Sequence, residues 1–478
     1  MKKQGLFLAL IVALFSAACS KKSATIDPPV DDTTKTPVSN VITVTGDIST
    51  ATTWKADKIY LIKGFVYVTG GATLTIEPGT LIKGDKATKG TLTITRGAKI
   101  MAAGTADKPI VFTSAFESGA RSNGDWGGII LLGKAPVNQG ENVGIEGGLD
   151  PKGDPAKYIQ YGGTDANDNS GTLKYVRIEY AGIPFSPDNE INGLTMGGVG
   201  KGTTIDYVQV YRSGDDAFEW FGGTVQCKHL IAMGSLDDDF DTDFGFSGKV
   251  QFGISQRFKT IADISGSNSF ESDNDANGAN KTPQTSAIFS NMTLLGPVTK
   301  VGESNVNANY QHGAQIRRNS ALSIFNSVFS GYVDGVYIDD SKVETAGATS
   351  TNYTAGRLVF KNNIILGTKN NEVKGENKAL FETTLRAENV FNAALFADAV
   401  VTDPFKFSSD FANAGTPNFT VKAGSIAATG AAFTDAKLTD AFFDKVAYKG
   451  AFGTEDWTAG WANFDPQKMA YTTPGAVK

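Results

Sequence analysis

The chain has 478 residues, with 44 Lys and Arg against 50 Asp and Glu, a formal charge of −6, 41% apolar residues and 54 glycines. At about 150 residues per domain this length suggests roughly three domains, and the apolar share supports a large core while excluding wholesale disorder and collagen. A mildly acidic chain lacks the cationic surface that phosphate backbones demand, so nucleic acid is not the expected partner.

Residues 1–18 read as a secretion signal: Lys2 and Lys3 form the basic start, Leu6 to Phe15 the apolar stretch, and Ser16-Ala17-Ala18 the cleavage region. The apolar run is too short to span a bilayer as a mature helix. Cys19 follows the small residues directly, as in a bacterial lipobox, so it is the expected lipidation site, with an ordinary signal peptide and an incidental Cys as the alternative. Ser20 after it resembles lipoproteins sent to the outer membrane. Loss of Lys2 and Lys3 takes the formal charge from −6 to −8. Residues 19–40, rich in Asp, Thr and Pro, have almost nothing to bury and read as a solvated tether. Apart from Cys19 the only cysteine is Cys227, so no disulfide forms within the mature chain, and Cys227 is expected to be a small buried hydrophobe.

From about Val41 the chain repeats. Thr73-Leu74-Thr75-Ile76 returns as Thr91-Leu92-Thr93-Ile94, offset by 18 residues; Ser213, Asp215, Asp216, Phe218 and Glu219 return as Ser235, Asp237, Asp238, Phe240 and Asp241, offset by 22. Short β-branched or alternating runs such as Tyr60-Leu61-Ile62, Ile110-Val111-Phe112 and Tyr175-Val176-Arg177-Ile178 are punctuated by Gly and Asn, which signals strands and turns. A period of 18–25 residues with several strands per period fits one coil of a stacked solenoid. The expectation is all-β, a right-handed parallel β-helix over 41–378 with long loop insertions, which replaces the three-domain reading. The segments 114–125, 134–171, 263–286 and 296–317 read as loops thrown out from the coils, the usual place for a binding face. Residues 379–478 carry more helix formers and a cluster of aromatics through Trp457 and Trp461; they read as the final coils and a C-terminal cap containing short helices, with an aromatic carbohydrate platform as the alternative.

The lipobox, the tether, Leu74-Thr-Ile-Glu-Pro-Gly-Thr-Leu-Ile-Lys-Gly84, Gly214-Asp-Asp-Ala-Phe-Glu-Trp-Phe-Gly-Gly223 and the Trp457–Trp461 terminus together resemble Bacteroidota-type surface lipoproteins with a right-handed parallel β-helix. The resemblance implies a fold and a place, lipid-anchored to the outer membrane at the cell surface, and hands over no catalytic residues.

The chemistry concentrates in one acidic cluster: Asp215, Asp216 and Glu219, then Asp237, Asp238, Asp239, Asp241 and Asp243. Alternation on a strand would point Asp237, Asp239, Asp241 and Asp243 one way. Carboxylates stacked on a neighbouring coil about 5 Å away repel unless protonated or bridged by a cation, and Ca²⁺ is the natural bridge. A solvated acidic turn, a calcium site and a pair of catalytic carboxylates all remain open. Asp273-Asn274-Asp275-Ala276-Asn277-Gly278 matches the alternating-oxygen pattern of a calcium loop, making Asp273, Asp275 and Asn277 candidate ligands, although Gln284 stands where a Glu normally closes the ion. Asp165 to Gly171 shows the same alternation, and both strings also make plain Asx turns. Gly214-Asp215-Asp216, Gln311-His312-Gly313 and Ile316-Arg317-Arg318 faintly resemble elements of polygalacturonases in the same order, which would make Asp216 an acid and Asp215 a base. The missing Asn-Thr-Asp element and the long separation leave Asp215, Asp216, His312 and Arg317 as weak catalytic candidates; Arg257 or Arg317 would be the base of a lyase. Phe218 and Trp220 share strand parity and are expected to stack inside the coil, and His229 to be packed in its strand. A long, rigid, loop-decorated face without a complete catalytic constellation points to a binding or adhesion module for a glycan or a surface protein. The alternatives are a Ca²⁺-assisted polysaccharide lyase or hydrolase and an accessory subunit of an outer-membrane complex.

Overall fold

Three parallel ladders, repeated coil after coil, carry nearly every strand of the chain. The computed structural model describes residues 40–186, 189–406 and 415–478, so the signal peptide, Cys19 and the tether, Asn40 apart, lie outside the described residues. One coil shows the plan. Strand Thr204–Tyr211 bends at Tyr207: its first half pairs with Gln226–Lys228 in the second sheet, and its second half with Leu230–Met233 in the first. Phe218–Phe221 then pairs with Phe240–Asp243 in the third. Asp206 sits opposite Lys228 and Glu219 opposite Asp241, so the 22-residue offset of the sequence is one coil.

The 18-residue repeat is not. Thr73–Ile76 pairs with Lys99–Ala102 in the second sheet, whereas Thr91–Ile94 pairs with Phe65–Val68 and Gly128–Leu131 in the third. A Thr-apolar-Thr-apolar strand buries one face wherever it lies, so equal tetrapeptides do not imply equal positions around the coil. The interior is a column of like on like: Phe218, Phe240 and Phe270 stack at 5.8 and 5.3 Å, and Trp220 stacks on Phe246 at 5.3 Å, as the strand parity predicts. Two of the expected loops are interrupted by rungs, Phe270–Ser272 and His312–Ile316. The loop 134–171 holds a small hairpin, Val143–Gly144 against Gln160–Tyr161.

The bend between the second and first sheets is a column of left-handed residues: Tyr175, Tyr207, His229, Phe252, Asn291, Asn326 and Asn362 all have positive φ. Asn tolerates that conformation; an aromatic residue there is strained and needs compensation. Stacking supplies it, with Tyr175, Tyr207, His229 and Phe252 spaced at 4.4, 4.1 and 5.3 Å. His229 also takes Asp206 at 2.7 Å.

The helix Glu382–Glu388 closes the core with Phe381 and Leu385, and one last rung, Val390–Asn392 on Ile364–Leu366, follows it. Beyond it the chain turns back and runs along this corner toward the first coils. Gly430 accepts from Asn362, Ala432 exchanges two hydrogen bonds with Asn326, and Tyr448 accepts from Asn291. Trp457 meets the edge of His229, and Trp461 lies edge-on to Tyr175 and Tyr207. Further on, buried Arg121 holds the carbonyls of Pro466 and Met469, and buried Arg177 holds that of Val477. The terminal tryptophans therefore fasten a strap to the aromatic column, and Trp461 is 1% exposed, which leaves it no free face for a sugar. Trp461→Ala is expected to lower the unfolding free energy by about 3–5 kcal/mol, measured by urea denaturation; a loss below about 1 kcal/mol would show that the strap packs on the column without stabilising it.

Candidate functional site

The acidic cluster sits where each coil turns from the first sheet into the third. Two columns build it. In the turn, Asn192, Asp216, Asp238, Asn268 and His312 occupy successive coils, two residues before the paired positions Leu194, Phe218, Phe240, Phe270 and Ala314. The three middle side chains cap the next coil: Asp216 Oδ1 accepts from the Asp238 amide at 2.7 Å, Asp238 Oδ1 from the Asn268 amide, and Asn268 Oδ1 from the His312 amide at 3.1 Å. On the outward face of the third sheet, Thr195, Glu219, Asp241, Glu271, Gln315, Tyr337 and Lys374 stand in one register.

Among the described residues, two sets of three carboxylates place their oxygens within 4.8 Å of one another: Asp215, Asp216 and Asp237, and Asp216, Glu219 and Asp241. None of these five forms an ion pair with a Lys or Arg, and Asp237 Oδ1 and Asp241 Oδ1 are buried without any hydrogen bond. Burial pushes all five well above the ordinary carboxylate range, and neighbouring acids push them further: Asp215 feels Glu146 and Glu190, and Asp241 feels Glu271 and Asp238. Burial likewise raises Asp238 to about 6 and Glu271 to about 8, the latter against the pull of Arg317. Beside the first set, Glu190, Asp215, Asp237 and Asp263 line a pocket of about 280 Å³. The loop residue Glu146 reaches Glu219, so an insertion helps to wall the cluster.

The structure separates several residues that the sequence grouped. Asp239 does not share a face with Asp237, Asp241 and Asp243. It turns away, fully buried, onto Arg257 at 2.8 Å, and takes Ser269 at 3.1 Å. The turn before Phe240 breaks the alternation on which that expectation rested, and it also commits Arg257 to a structural pair. The calcium-loop reading of Asp273, Asp275 and Asn277 meets a similar obstacle. Asp273 gives its two oxygens to Arg317 and Arg318, at 2.8 and 2.6 Å. Asp275 accepts from the amides of Asn277 and Ala279 and pairs with Lys281 at 2.9 Å. These oxygens close Asx turns around cations the chain already carries, so the loop is no open cage. In the second string, Asp165 and Asn169 likewise cap the amides of Asn167 and Gly171.

Of the weak catalytic candidates, Asp215 and Asp216 are brought together and His312 is not beside them. His312 is 2% exposed; its Nδ1 donates to Asn268 Oδ1 at 2.8 Å and Nε2 faces Lys374 at 3.1 Å, with the tautomer following from these partners. Burial, aided by Lys374, lowers it to about 4, so it stays neutral. Arg317 lies against Glu271 and Asp273. Burial opposes its charge, but the two carboxylates outweigh burial and hold it protonated. Sequence reading missed Glu271 and the loop acids Glu146 and Glu190, because nothing local says which coil a loop returns to. Cys227 is buried and free of a disulfide.

The family described as a pectate-lyase-like β-helix domain matches residues 46–462. The chain belongs to that family. A solved structure titled as pectate lyase Pel9A aligns with this pectate-lyase-like chain over 87% of its length and 86% of the other's, at 12% identity and a TM-score of 0.34. No curated protein matches the sequence.

The raised carboxylates carry a pH signature. A group whose folded pKa exceeds its unfolded one binds its proton more tightly when folded, so its contribution to stability falls as pH rises toward the folded value. With EDTA present, the unfolding midpoint is therefore expected to climb as pH is lowered from about 8 to about 6.5, a window above the titration of an ordinary histidine and set by groups such as Glu271 near 8. A flat or falling midpoint across that window in calorimetry would contradict these protonation states.

Proposed function

We propose that this protein is a surface-held module that binds acidic polysaccharide through divalent cations gathered at the Asp216 corner, and that it does so without cleaving the chain. One observation carries the reading. Carboxylates of consecutive coils converge with buried, unpartnered oxygens and no positive side chain among them, a donor set of hard oxygens that suits Ca²⁺. Membership of a pectate-lyase-like family supports a polysaccharide as the ligand class. The residues that would hold the ion are Asp215, Asp216, Glu219, Asp237 and Asp241. Bound Ca²⁺ would offset their charge and bridge to a uronate carboxylate, while Glu190, Asp263 and Glu146 at the edges would repel an acidic chain that arrived without the cation.

The lyase reading needs a basic group poised over the bound sugar. Both sequence candidates are spent, Arg317 on Glu271 and Asp273 and Arg257 on Asp239, which favours binding over turnover. Acylation of Cys19 would hold the module at the outer membrane, the tether setting its distance from the lipid.

The test is retention on immobilised polygalacturonate, with release of reducing ends and unsaturated uronates followed in the same samples. Retention is expected in Ca²⁺ and is expected to be lost in EDTA, and Asp216→Asn is expected to weaken it at least tenfold. Asn keeps the oxygen that caps the Asp238 amide, so the column stays closed. Product release abolished by Asp215→Asn or Asp216→Asn would establish the enzyme instead. No retention on any acidic or neutral glycan, together with co-purification of a membrane protein, would favour the accessory-subunit reading.

A further inference from the structure

We infer that the acidic corner holds two divalent cations at once, with Asp216 as the carboxylate they share. This rests on the cation-binding reading above and adds to it the number of ions and the division of ligands. The two sets of converging carboxylates have only Asp216 in common: Asp215 and Asp237 belong to one, Glu219 and Asp241 to the other. Each set contains its own buried oxygen without a partner, Asp237 Oδ1 in the first and Asp241 Oδ1 in the second. A single ion placed in either set leaves the other oxygen orphaned, a buried polar atom without a partner.

A further orphan points the same way. Asn192 is fully buried, its Nδ2 donates to Glu219, and its Oδ1 has no partner, which supplies a neutral oxygen beside the second set. Charge balance agrees. One divalent ion neutralises less than half of five carboxylates, and two neutralise most of the charge. Each set also spans two coils, Asp215, Asp216 and Glu219 from one and Asp237 and Asp241 from the next, so both ions replace repulsion between stacked rungs with attraction. Two ions side by side on one face, each with positions left for outside oxygens, suit a ligand that carries repeated carboxylates, such as a polyuronate.

The experiment is Ca²⁺ binding to the full mature chain by equilibrium dialysis and calorimetry. Two ions are expected in the wild type. Asp237→Asn and Asp241→Asn are each expected to lose one and keep the other, and Asp216→Asn to lose both. One ion in the wild type, lost equally in Asp237→Asn and Asp241→Asn, would overturn the pair and leave the single-cation reading standing; no bound ion in the wild type would overturn both. A readout independent of variants is energy transfer between Tb³⁺ and Eu³⁺ loaded together into the wild type. Sharing a carboxylate requires transfer as efficient as a rung-scale separation of about 5 Å dictates, and lanthanide luminescence without transfer at double loading would overturn the pair.

Discussion

Stacking governs this molecule. Parallel rungs about 5 Å apart set each side chain above its counterpart in the next coil, so each must be compatible with what the next coil sets over it. Phenylalanines inside the coil satisfy the condition by burying apolar area and offset-stacking. Asparagines at the corners satisfy it by donating along the column and accepting from the next amide. Aspartates satisfy it only half way: they accept the amide of the next coil but repel the carboxylate beside it.

The two corners resolve the same geometric demand in opposite ways. At the corner between the second and first sheets, left-handed backbone strain is offset by a stack of Tyr, Tyr, His and Phe, which then gives way to Asn291, Asn326 and Asn362. That corner is finished by the returning strap, whose carbonyls accept from Asn291, Asn326 and Asn362 and whose indoles meet the rings of Tyr175, Tyr207 and His229. Among the described residues, no strap covers the corner before the third sheet. Its Asn–Asp–Asp–Asn–His column is open on one side to the carboxylates of the third sheet and to the loops bearing Glu146 and Glu190. Stability is concentrated on one flank and unspent electrostatic potential on the other, the division expected when a scaffold carries a binding site.

The register also explains why the cluster is graded along the helix axis. Glu219, Asp241 and Glu271 give way to Gln315, Tyr337 and Lys374 in one outward column, so repulsion is confined to three coils and relieved at one end by Arg317 and Arg318. Arg257 relieves it from beneath by taking Asp239. A fold that ran acids along the whole column would carry a charge that ions at one corner could not offset.

The sequence alone determined the parallel coil, its 22-residue register, the interior stack of Phe218 and Trp220 and the place where acids accumulate, because each of these follows from periodicity within a coil or between adjacent coils. The 18-residue repeat misled, since amphipathic tetrapeptides carry no mark of which of three sheets they join. Only the tertiary structure decided which acids are free. Asp239 is neutralised by Arg257, Asp273 by Arg317 and Arg318, and Asp275 by Lys281, while Asp215, Asp216, Glu219, Asp237 and Asp241 find no cation. Arg317 and Arg318 reach Asp273 from 44 and 45 residues further on, and a side chain's charge state in a solenoid depends on what the next coil and its insertions bring to the same corner.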